Sequence, residues 1–331
     1  MPLHNRVKGK YAQFKRVETH IVVQTVSVVG CGLIGASWAL HFLVRGLDVV
    51  ACDPSEGAES RLRAFVAEHW EQAGRLGMHP SANTGRLEFQ ADAQRAVERA
   101  DFVQENGPER VDMKRELFAK LDEAAAPHII LASSSSGLRP SQMQDLCKHP
   151  ERVLVGHPFN PPHLIPLVEV VGGRLTSADA ISSAMSFYRS VGKRPIHVRK
   201  EVTAHVANRL QAAVWREAYG LVQDGVVDME DIDTAMSHGI GLRWALLGPF
   251  AIQMLAGGAG GMRHSLDHLG ASLDGWWQDL HQTRLTPELK QLIFNHAEQL
   301  LAGFDPAAVV QARDEFLIEL ITAKAGRRNL P

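Results

Sequence analysis

The chain has 331 residues, of which 45% are hydrophobic and 22% charged, and its formal net charge is −2 at pH 7. This length suffices for two domains with hydrophobic cores, and the composition is that of a globular protein. The near balance of 35 basic and 37 acidic residues argues against nucleic-acid binding, which needs a basic surface to neutralise phosphates. No apolar run approaches the roughly 18–20 residues that span a bilayer, so no membrane association is expected.

The N-terminal segment and the cysteines bear on cellular location. Residues 1–21 are basic and polar and lack the apolar centre of a secretory signal, so we predict a flexible extension, with a transit peptide as the alternative. Cys31, Cys52 and Cys147 form an odd and sparse set. They favour reduced thiols in a cytoplasmic protein.

From Thr25 to about Lys200, short β-branched runs alternate with helical patterns. The runs are TVSVVG, DVVACD, DFVQE, HIILASSS, RVLVGH, PLVEVV and RPIHVR. Apolar strands separated by helices predict a mostly parallel sheet that is covered by helices on both faces. Residues 22–200 are therefore predicted to form an α/β domain.

After Lys200 the pattern becomes helical. The segment VTAHVANRLQAAVWREAYGLVQDG carries apolar residues at helical spacing. Thr286-Pro287 and Asp305-Pro306 are typical helix starts, in which a capping side chain precedes a proline. Residues 201–331 are therefore predicted to form an all-helical domain.

The segment VVGCGLIGASWA carries the pattern G-x-G-x-x-G at Gly30, Gly32 and Gly35, between a predicted strand and a predicted helix. The first glycine allows a tight turn, the second lets the backbone approach a pyrophosphate, and the third permits close packing of helix on strand. The N–H groups at the helix start, near Leu33 and Ile34, are then expected to bind the pyrophosphate.

Asp53 follows the second predicted strand, 18 positions after Gly35. A carboxylate at this place accepts hydrogen bonds from adenine-ribose hydroxyls and repels a 2′-phosphate, so NAD is predicted in preference to NADP. The alternative is a glycine-rich turn followed by an aspartate that only faces solvent.

The segment VGHPFNPPHLIPLVEVV, residues 155–171, is mostly apolar, with His157 near its start and Glu169 near its end. A buried carboxylate is costly unless a partner compensates it. We therefore expect the two side chains to pair, as a structural ion pair or as part of a catalytic site.

Six motifs occur in a fixed order along the chain: the glycine pattern, VQENGPERVDMK, ASSSSGL, GHPFNP, PLVEVV and VANRL. This order is that of the 3-hydroxyacyl-CoA dehydrogenase superfamily, which the chain resembles from about Val22 to Trp277. The similarity is greatest to the branch acting on free 3-hydroxy acids. It implies a Rossmann-type doubly wound sheet followed by an all-α C-terminal domain of the 6-phosphogluconate-dehydrogenase-like arrangement. It also implies NAD as cofactor and a homodimer through the helical domain.

The resemblance assigns a catalytic role to four residues. His157 and Glu169 match a dyad in which the histidine takes the hydroxyl proton. The carboxylate fixes the tautomer of that histidine and stabilises the imidazolium. Ser136 and Asn208 match residues that hydrogen-bond the reacting oxygen, although a turn serine and a capping asparagine are the alternatives.

Three further residues are assigned less directly by the same resemblance. Asn160 matches a residue that lines the reacting site, and Glu109 and Lys114 match positions near the nicotinamide ribose. No metal site is expected.

Two departures from the family pattern concern the substrate. The segment between Asp53 and Asp101 is shorter than in the CoA enzymes and lacks their lysine-rich helical tail, which argues against a CoA thioester. Thr203-Ala204-His205 replaces the usual Pro-Gly-Phe before Asn208. His205 is therefore a titratable group without an assigned role.

The segments GIGLRWALLGPF and LAGGAGGMRH most resemble family members that act on L-carnitine. A trimethylammonium group is held by aromatic faces, which makes Trp244 and Phe250 candidate substrate residues. Arg243 could pair with the substrate carboxylate through its bidentate fork. The alternative is that these aromatic residues, with Trp276 and Trp277, form a core or a subunit contact.

These observations predict a cytoplasmic enzyme that uses NAD to oxidise the 3-hydroxyl of a small 3-hydroxy acid, with conversion of L-carnitine to 3-dehydrocarnitine as the first expectation. Oxidation of L-gulonate or of a 3-hydroxyacyl-CoA is the enzymatic alternative. A crystallin-like structural protein that binds NAD without turnover is the non-enzymatic one.

Overall fold

The computed structural model describes residues 23–327 and Leu330, so the extension expected at residues 1–21 lies outside it. The strands are β1 (Thr25–Val29), β2 (Asp48–Cys52), β3 (Leu87–Gln90), β4 (Phe102–Glu105), β5 (Ile130–Ser133), β6 (Val153–Pro158), β7 (Leu167–Gly172) and β8 (Arg194–Val198). The helices between them are α1 (Leu33–Val44), α2 (Ala58–Gly74), α3 (Ala93–Val97), α4 (Val111–Ala124) and α5 (Ala178–Ser190).

The strands form one eight-stranded sheet in the order β3-β2-β1-β4-β5-β6-β7-β8. Strands β1 to β6 run parallel, whereas β7 pairs antiparallel with β6 and β8 pairs parallel with β7. The strand order reverses between β1 and β4, and sheets of this kind bind ligands outside the carboxyl ends of the strands at that point. The predicted doubly wound, mostly parallel sheet is confirmed.

Helices cover both faces of the sheet, and this is why its central strands are buried along their length. Every residue of β4, β5 and β6 is buried, as are the ten residues from Gly35 to Val44 in α1. Trp38, Phe42 and Tyr188 belong to the core cluster that joins α1 and α5 to one face of the sheet. Phe118 belongs to a second cluster, which joins α4 to the other face.

From Ala207 onwards the described chain is helical. Its helices are α6 (Ala207–Gln223), α7 (Met229–Ala235), α8 (Gly241–Leu246), α9 (Pro249–Ala256), α10 (Gly261–Asp279), α11 (Pro287–Leu300) and α12 (Pro306–Ala325), with a π-helical turn, Met236–Ile240, between α7 and α8. The two predicted helix starts are confirmed. Thr286 accepts a hydrogen bond from the Leu289 N–H, and Asp305 accepts one from the Ala307 N–H.

The helical region buries few of its large apolar side chains. Within the described chain beyond Ala207, Val222, Leu289 and Ile318 are its buried large hydrophobic residues. Exposed ones include Leu210, Trp215, Leu242, Phe250, Trp277, Phe294 and Phe316. No single helix in the described range has both the length and the apolar composition to span a bilayer. The bent pair Met229–Leu246 and Pro249–Ala256 meets those two criteria only jointly.

Candidate active site

The predicted glycine motif forms the turn between β1 and α1. Gly30 has a φ of 92°, a left-handed conformation that favours glycine, and a Cβ there would lie 2.9 Å from the Asn106 backbone. A Cβ on Gly35 would overlap the carbonyl oxygen of Gly30, so only glycine allows this approach of helix to strand. A Cβ on Gly32 would meet no atom within 4 Å, which shows open space beside that residue.

This open space lies at the start of α1. Gly32 is the N-cap residue, and no described side chain caps the helix. Leu33 is 60% exposed, and Ile34 lines the adjoining cavity. Uncapped N–H groups at a helix start attract phosphate oxygens, so this groove fits the pyrophosphate of a dinucleotide.

Asp53 stands directly after β2 and beside the glycine turn. Its Oδ2 accepts a hydrogen bond from the Cys31 N–H and its Oδ1 accepts one from the Ser55 N–H, each at 2.8 Å. Burial alone would raise the pKa of Asp53, but these hydrogen bonds bring the pKa below its ordinary value. The ionised carboxylate is thus fixed where it can accept hydrogen bonds from ribose hydroxyls, and the groove as a whole fits NAD.

A cavity of about 490 Å³ adjoins the cofactor groove at the carboxyl ends of β4, β5 and β6. The predicted site residues that line it are Ile34, Glu109, Lys114, Ser136, His157, Asn160 and Asn208. Gln211, one turn after Asn208 in α6, also lines the cavity although it was not predicted. Residues from widely separated parts of the sequence are therefore brought together in one place.

His157 and Glu169 lie opposite each other on the antiparallel strands β6 and β7. The distance from His157 Nδ1 to Glu169 Oε2 is 2.8 Å, and both side chains are buried. Because an ionised carboxylate can only accept hydrogen bonds, Nδ1 is the nitrogen that donates to Glu169, and the lone pair of the neutral ring is then on Nε2. The twelve-residue separation in sequence becomes a direct cross-strand pair because the proline-rich connector returns the chain antiparallel.

The second oxygen of Glu169 is bound by the start of α6. Glu169 Oε1 accepts hydrogen bonds from the N–H groups of Val206 at 2.9 Å and Ala207 at 3.0 Å. Burial alone would raise the pKa of Glu169, but hydrogen bonds from His157 and from these two N–H groups lower it below its ordinary value. The carboxylate is therefore ionised, and the helix start helps to stabilise its charge. No sequence pattern predicted this contact.

Ser136 and Asn208 are neighbours in the structure. Ser136 follows β5 and is exposed, whereas Asn208 lies in the first turn of α6. The Asn208 Nδ2 atom donates a hydrogen bond to the Ser136 carbonyl oxygen at 3.2 Å. The two residues matched to the reacting oxygen thus lie side by side in the cavity that contains His157.

Glu109 is held by the loop after β5. Its Oε1 atom accepts hydrogen bonds from the Ser135 hydroxyl at 2.6 Å, the Gly137 N–H at 2.9 Å and the Leu138 N–H at 3.3 Å. Burial alone would raise the pKa of Glu109, but these hydrogen bonds lower it below its ordinary value. No hydrogen bond from a described residue reaches Oε2, which leaves this oxygen able to accept one from a ligand.

Lys114 forms a buried ion pair that the sequence did not indicate. Its Nζ donates to both carboxylate oxygens of Glu105, at 2.7 and 2.8 Å, and to the Gly107 carbonyl oxygen at 3.1 Å. The Ser133 hydroxyl donates to the same carboxylate at 2.6 Å. In the run DFVQE, Glu105 was visible only as the last residue of a strand, and nothing nearby in sequence identified Lys114 as its partner.

Arg243, Trp244 and Phe250 do not line this cavity within the described chain. Trp244 is 41% exposed and Phe250 is 76% exposed, on α8 and α9 respectively. The reason is topological, since α9 packs chiefly against α10 rather than against the sheet. The structure therefore does not bring these three residues together with the other candidate site residues.

A larger groove, of about 680 Å³, lies at the opposite, amino ends of β1, β2 and β3. Its charged side chains neutralise one another in the ion pairs Arg63–Glu59, Arg86–Asp48 and Arg99–Glu88. We place the candidate site in the smaller cavity because that cavity contains the histidine of the buried dyad. In the described part of the chain, no three His, Cys, Asp or Glu side chains converge in a way that could hold a metal ion.

Comparison with known proteins gives close relatives. The chain is 45% identical over 299 residues to an L-carnitine dehydrogenase of Bacillus cereus, covering 90% of this chain and 92% of that protein. It is 44% identical to a 3-hydroxyacyl-CoA dehydrogenase of Gibberella moniliformis, covering 91% and 95%. Among solved structures, 5-formyl-3-hydroxy-2-methylpyridine 4-carboxylic acid 5-dehydrogenase, an NAD+ dependent dismutase, matches with a TM-score of 0.81. That protein is 30% identical, and the match covers 92% of this chain and all of that one.

Family models match both parts of the chain. The 3-hydroxyacyl-CoA dehydrogenase NAD-binding domain matches residues 25–202, and the C-terminal domain of the same family matches residues 205–286. The boundary between the two matches falls between β8 and α6, where the fold changes from sheet to helices. The chain is an NAD-dependent oxidoreductase that belongs to the 3-hydroxyacyl-CoA dehydrogenase family.

Proposed function

We propose that this chain oxidises the 3-hydroxyl of L-carnitine to the ketone, giving 3-dehydrocarnitine, with NAD as cofactor. The observation that carries the proposal is the 2.8 Å hydrogen bond between His157 and Glu169, at a cavity beside a groove that fits NAD. The choice of substrate is supported by the 45% identity to the L-carnitine dehydrogenase of Bacillus cereus.

Proton transfer is assigned to the dyad. His157 Nε2 takes the hydroxyl proton, while Glu169 holds Nδ1 protonated and stabilises the imidazolium that forms. Bound NAD, held by the groove at Gly32 and Asp53, would supply the acceptor for the hydride that leaves the carbon bearing this hydroxyl. In the reverse direction His157 returns the proton to the carbonyl oxygen.

Ser136, Asn160 and Asn208 are assigned to the reacting oxygen and the substrate. A hydroxyl and two amides can donate hydrogen bonds to this oxygen both as alcohol and as ketone. Donors that are held in place before substrate arrives stabilise developing charge without having to reorganise. The hydrogen bond from the Asn208 amide to the Ser136 carbonyl oxygen supports this assignment, since it orients the amide beside Ser136.

Substrate identity is tested with a panel of NAD-linked assays on L-carnitine, L-gulonate and 3-hydroxybutyryl-CoA. We expect the highest kcat/KM with L-carnitine. Turnover of L-gulonate or of the CoA thioester with none of L-carnitine would contradict the substrate assignment. The CoA thioester is included because the Gibberella relative is named a 3-hydroxyacyl-CoA dehydrogenase. Binding of NAD with no turnover of any 3-hydroxy acid would favour a structural protein instead.

We expect Asp53→Ala to weaken NAD binding and to reduce the preference for NAD over NADP. The variant removes the carboxylate that the Cys31 and Ser55 N–H groups hold beside the turn, and with it the repulsion of a 2′-phosphate. Loss of such a charge-assisted contact is worth about 1.5–3 kcal/mol, or roughly tenfold to a hundredfold in Kd. Titration of both cofactors with wild type and variant gives the ratio, and an unchanged ratio would remove Asp53 from the ribose site.

We further propose a homodimer through the helical region, residues 201–331, with residues 22–200 as the NAD-binding domain. The large apolar side chains exposed on the helices support a partner, because monomeric proteins rarely expose extensive apolar surface. A partner would also bring Arg243, Trp244 and Phe250 into contact with substrate or with a subunit interface. Sedimentation equilibrium tests this association.

Three cysteines without a disulfide suit the cytoplasmic location that we propose.

A further inference from the structure

We propose that His205 is a positioning residue, whose ring fixes the loop after β5 against the start of α6 and so holds Ser136 and Asn208 in place. The inference rests on the proposed function, because it concerns the same site. His205 does not line the cavity, so it acts through its neighbours rather than on the substrate.

Three sets of hydrogen bonds meet at the start of α6. The His205 Nε2 atom lies 3.1 Å from the Ser135 carbonyl oxygen, and the next residue along that loop, Ser136, accepts the bond from Asn208. On the other side, the N–H groups that follow His205 bind Glu169. One short segment therefore connects the loop carrying Ser136 with the carboxylate of the dyad.

The state of the ring follows from these contacts. A carbonyl oxygen only accepts, so Nε2 carries the proton, and burial lowers the pKa of His205, which keeps the ring neutral. The charged and titratable groups that face it are His157, whose ring centroid is 5.4 Å away, together with Glu169 and Glu109. A neutral donor can hold the Ser135 carbonyl without placing a second cation beside His157.

The conformation of this segment is costly, which argues against a role in packing alone. Ala204 and His205 have φ values of 63° and 50°, in the left-handed region that residues other than glycine rarely adopt. The His205 side chain is fully buried, and its Nδ1 has no hydrogen-bond partner among the described residues. Strain of this kind persists where the surrounding structure needs it, and it clusters at functional sites.

The test compares three replacements at one position. His205→Phe keeps a ring but removes the donor, His205→Asn keeps an N–H donor and tolerates the left-handed backbone, and His205→Gly tolerates that backbone without a side chain. We expect His205→Phe to lower kcat for the substrate that wild type oxidises by about 10- to 100-fold, because small misplacements of catalytic groups have effects of this size. His205→Asn should recover most of that loss, and NAD affinity should stay within about twofold in each variant, since the groove at Gly32 does not involve this segment.

A matched control is available in α1. His41 is also buried, and its Nε2 lies 2.9 Å from the Val191 carbonyl oxygen, remote from the cavity. His41→Phe removes the same type of hydrogen bond and should lower the melting temperature while leaving kcat unchanged. Equal losses of kcat in His41→Phe and His205→Phe would overturn the proposal, because they would reflect stability alone.

The remaining outcomes also test the role of His205. Should His205→Phe fail to fold, kcat of His205→Asn is compared with that of His205→Gly, and the proposal requires the asparagine variant to be about tenfold faster. Equal rates in these two variants, or full activity in His205→Phe, would show that the donor is not needed. Wild-type enzyme without turnover on any 3-hydroxy acid would instead contradict the proposed function, a result that the panel gives before any variant is made.

Discussion

His157→Ala is expected to lower kcat for the hydroxy acid by about 10²- to 10⁴-fold, the range that general acid–base catalysis contributes. The variant removes the lone pair on Nε2 that we assign to the substrate proton and leaves Glu169 without the donor at 2.8 Å. NAD affinity should change little, because the groove at Gly32 and Asp53 lies on the other side of the strand reversal. Steady-state rates and fluorescence titration with NADH measure the two quantities separately.

A matched control for this variant is His197→Ala. His197 lies on β8, at the edge of the sheet, where it is exposed and remote from the cavity. The same substitution there should leave kcat and NAD affinity unchanged. Substantial turnover in His157→Ala would refute the assignment of the base, whereas a parallel loss of NAD binding would indicate that the cavity had collapsed.

Much of the fold could be predicted because it depends on short-range patterns, and the dyad could be predicted with the help of the family resemblance. Strand and helix alternation predicted the sheet, and capping residues before proline predicted the starts of α11 and α12. The spacing of Gly30, Gly32 and Gly35 predicted a turn whose steric demands the structure explains. His157 and Glu169 could be paired because a buried carboxylate needs a partner and because the family resemblance assigns both to one dyad, and the structure places them opposite each other on β6 and β7.

Contacts between distant segments could not be predicted in this way. The N–H groups that bind Glu169 come from 37 and 38 residues further along the chain, and backbone donors leave no mark in the sequence. The strained turn at His205 was visible only as a departure from the family pattern. The positions of Trp244 and Phe250 depend on how helices pack, and a single chain leaves these side chains exposed. The sequence therefore predicts the secondary structure, but it does not predict these long-range contacts of the site.

Lys114→Met is expected to destabilise the protein by about 3–5 kcal/mol, the usual cost of breaking a buried ion pair from one side. Lys114 and Glu105 are 2% and 0% exposed, and the variant leaves the Glu105 carboxylate buried without its cation. The Ser133 hydroxyl and the Gly107 N–H remain as hydrogen-bond donors to it, but neither offsets a full charge. Urea unfolding measures the loss, provided that the slope of the transition is unchanged.

Two comparisons show whether the unpaired charge of Glu105 causes the loss of stability in Lys114→Met. Glu105→Gln combined with Lys114→Met removes both charges and should be more stable than Lys114→Met alone, because no unpaired ion remains. Arg115→Met, the adjacent position on α4, breaks only the exposed pair with Asp145 and should cost less than about 1 kcal/mol. A double variant no more stable than Lys114→Met would mean that the ion pair does not control the loss.

The same double variant separates the structural role of Lys114 from a role in cofactor binding. Lys114 lines the active-site cavity, and the family resemblance places it near the nicotinamide ribose. If the only task of Lys114 is to neutralise Glu105, removal of both charges should restore stability, and any NAD affinity lost in Lys114→Met should return with it. If the ammonium also contacts the cofactor, stability should recover while NAD affinity stays low. We expect the first result, because the Nζ hydrogens are already directed at Glu105 and the Gly107 carbonyl.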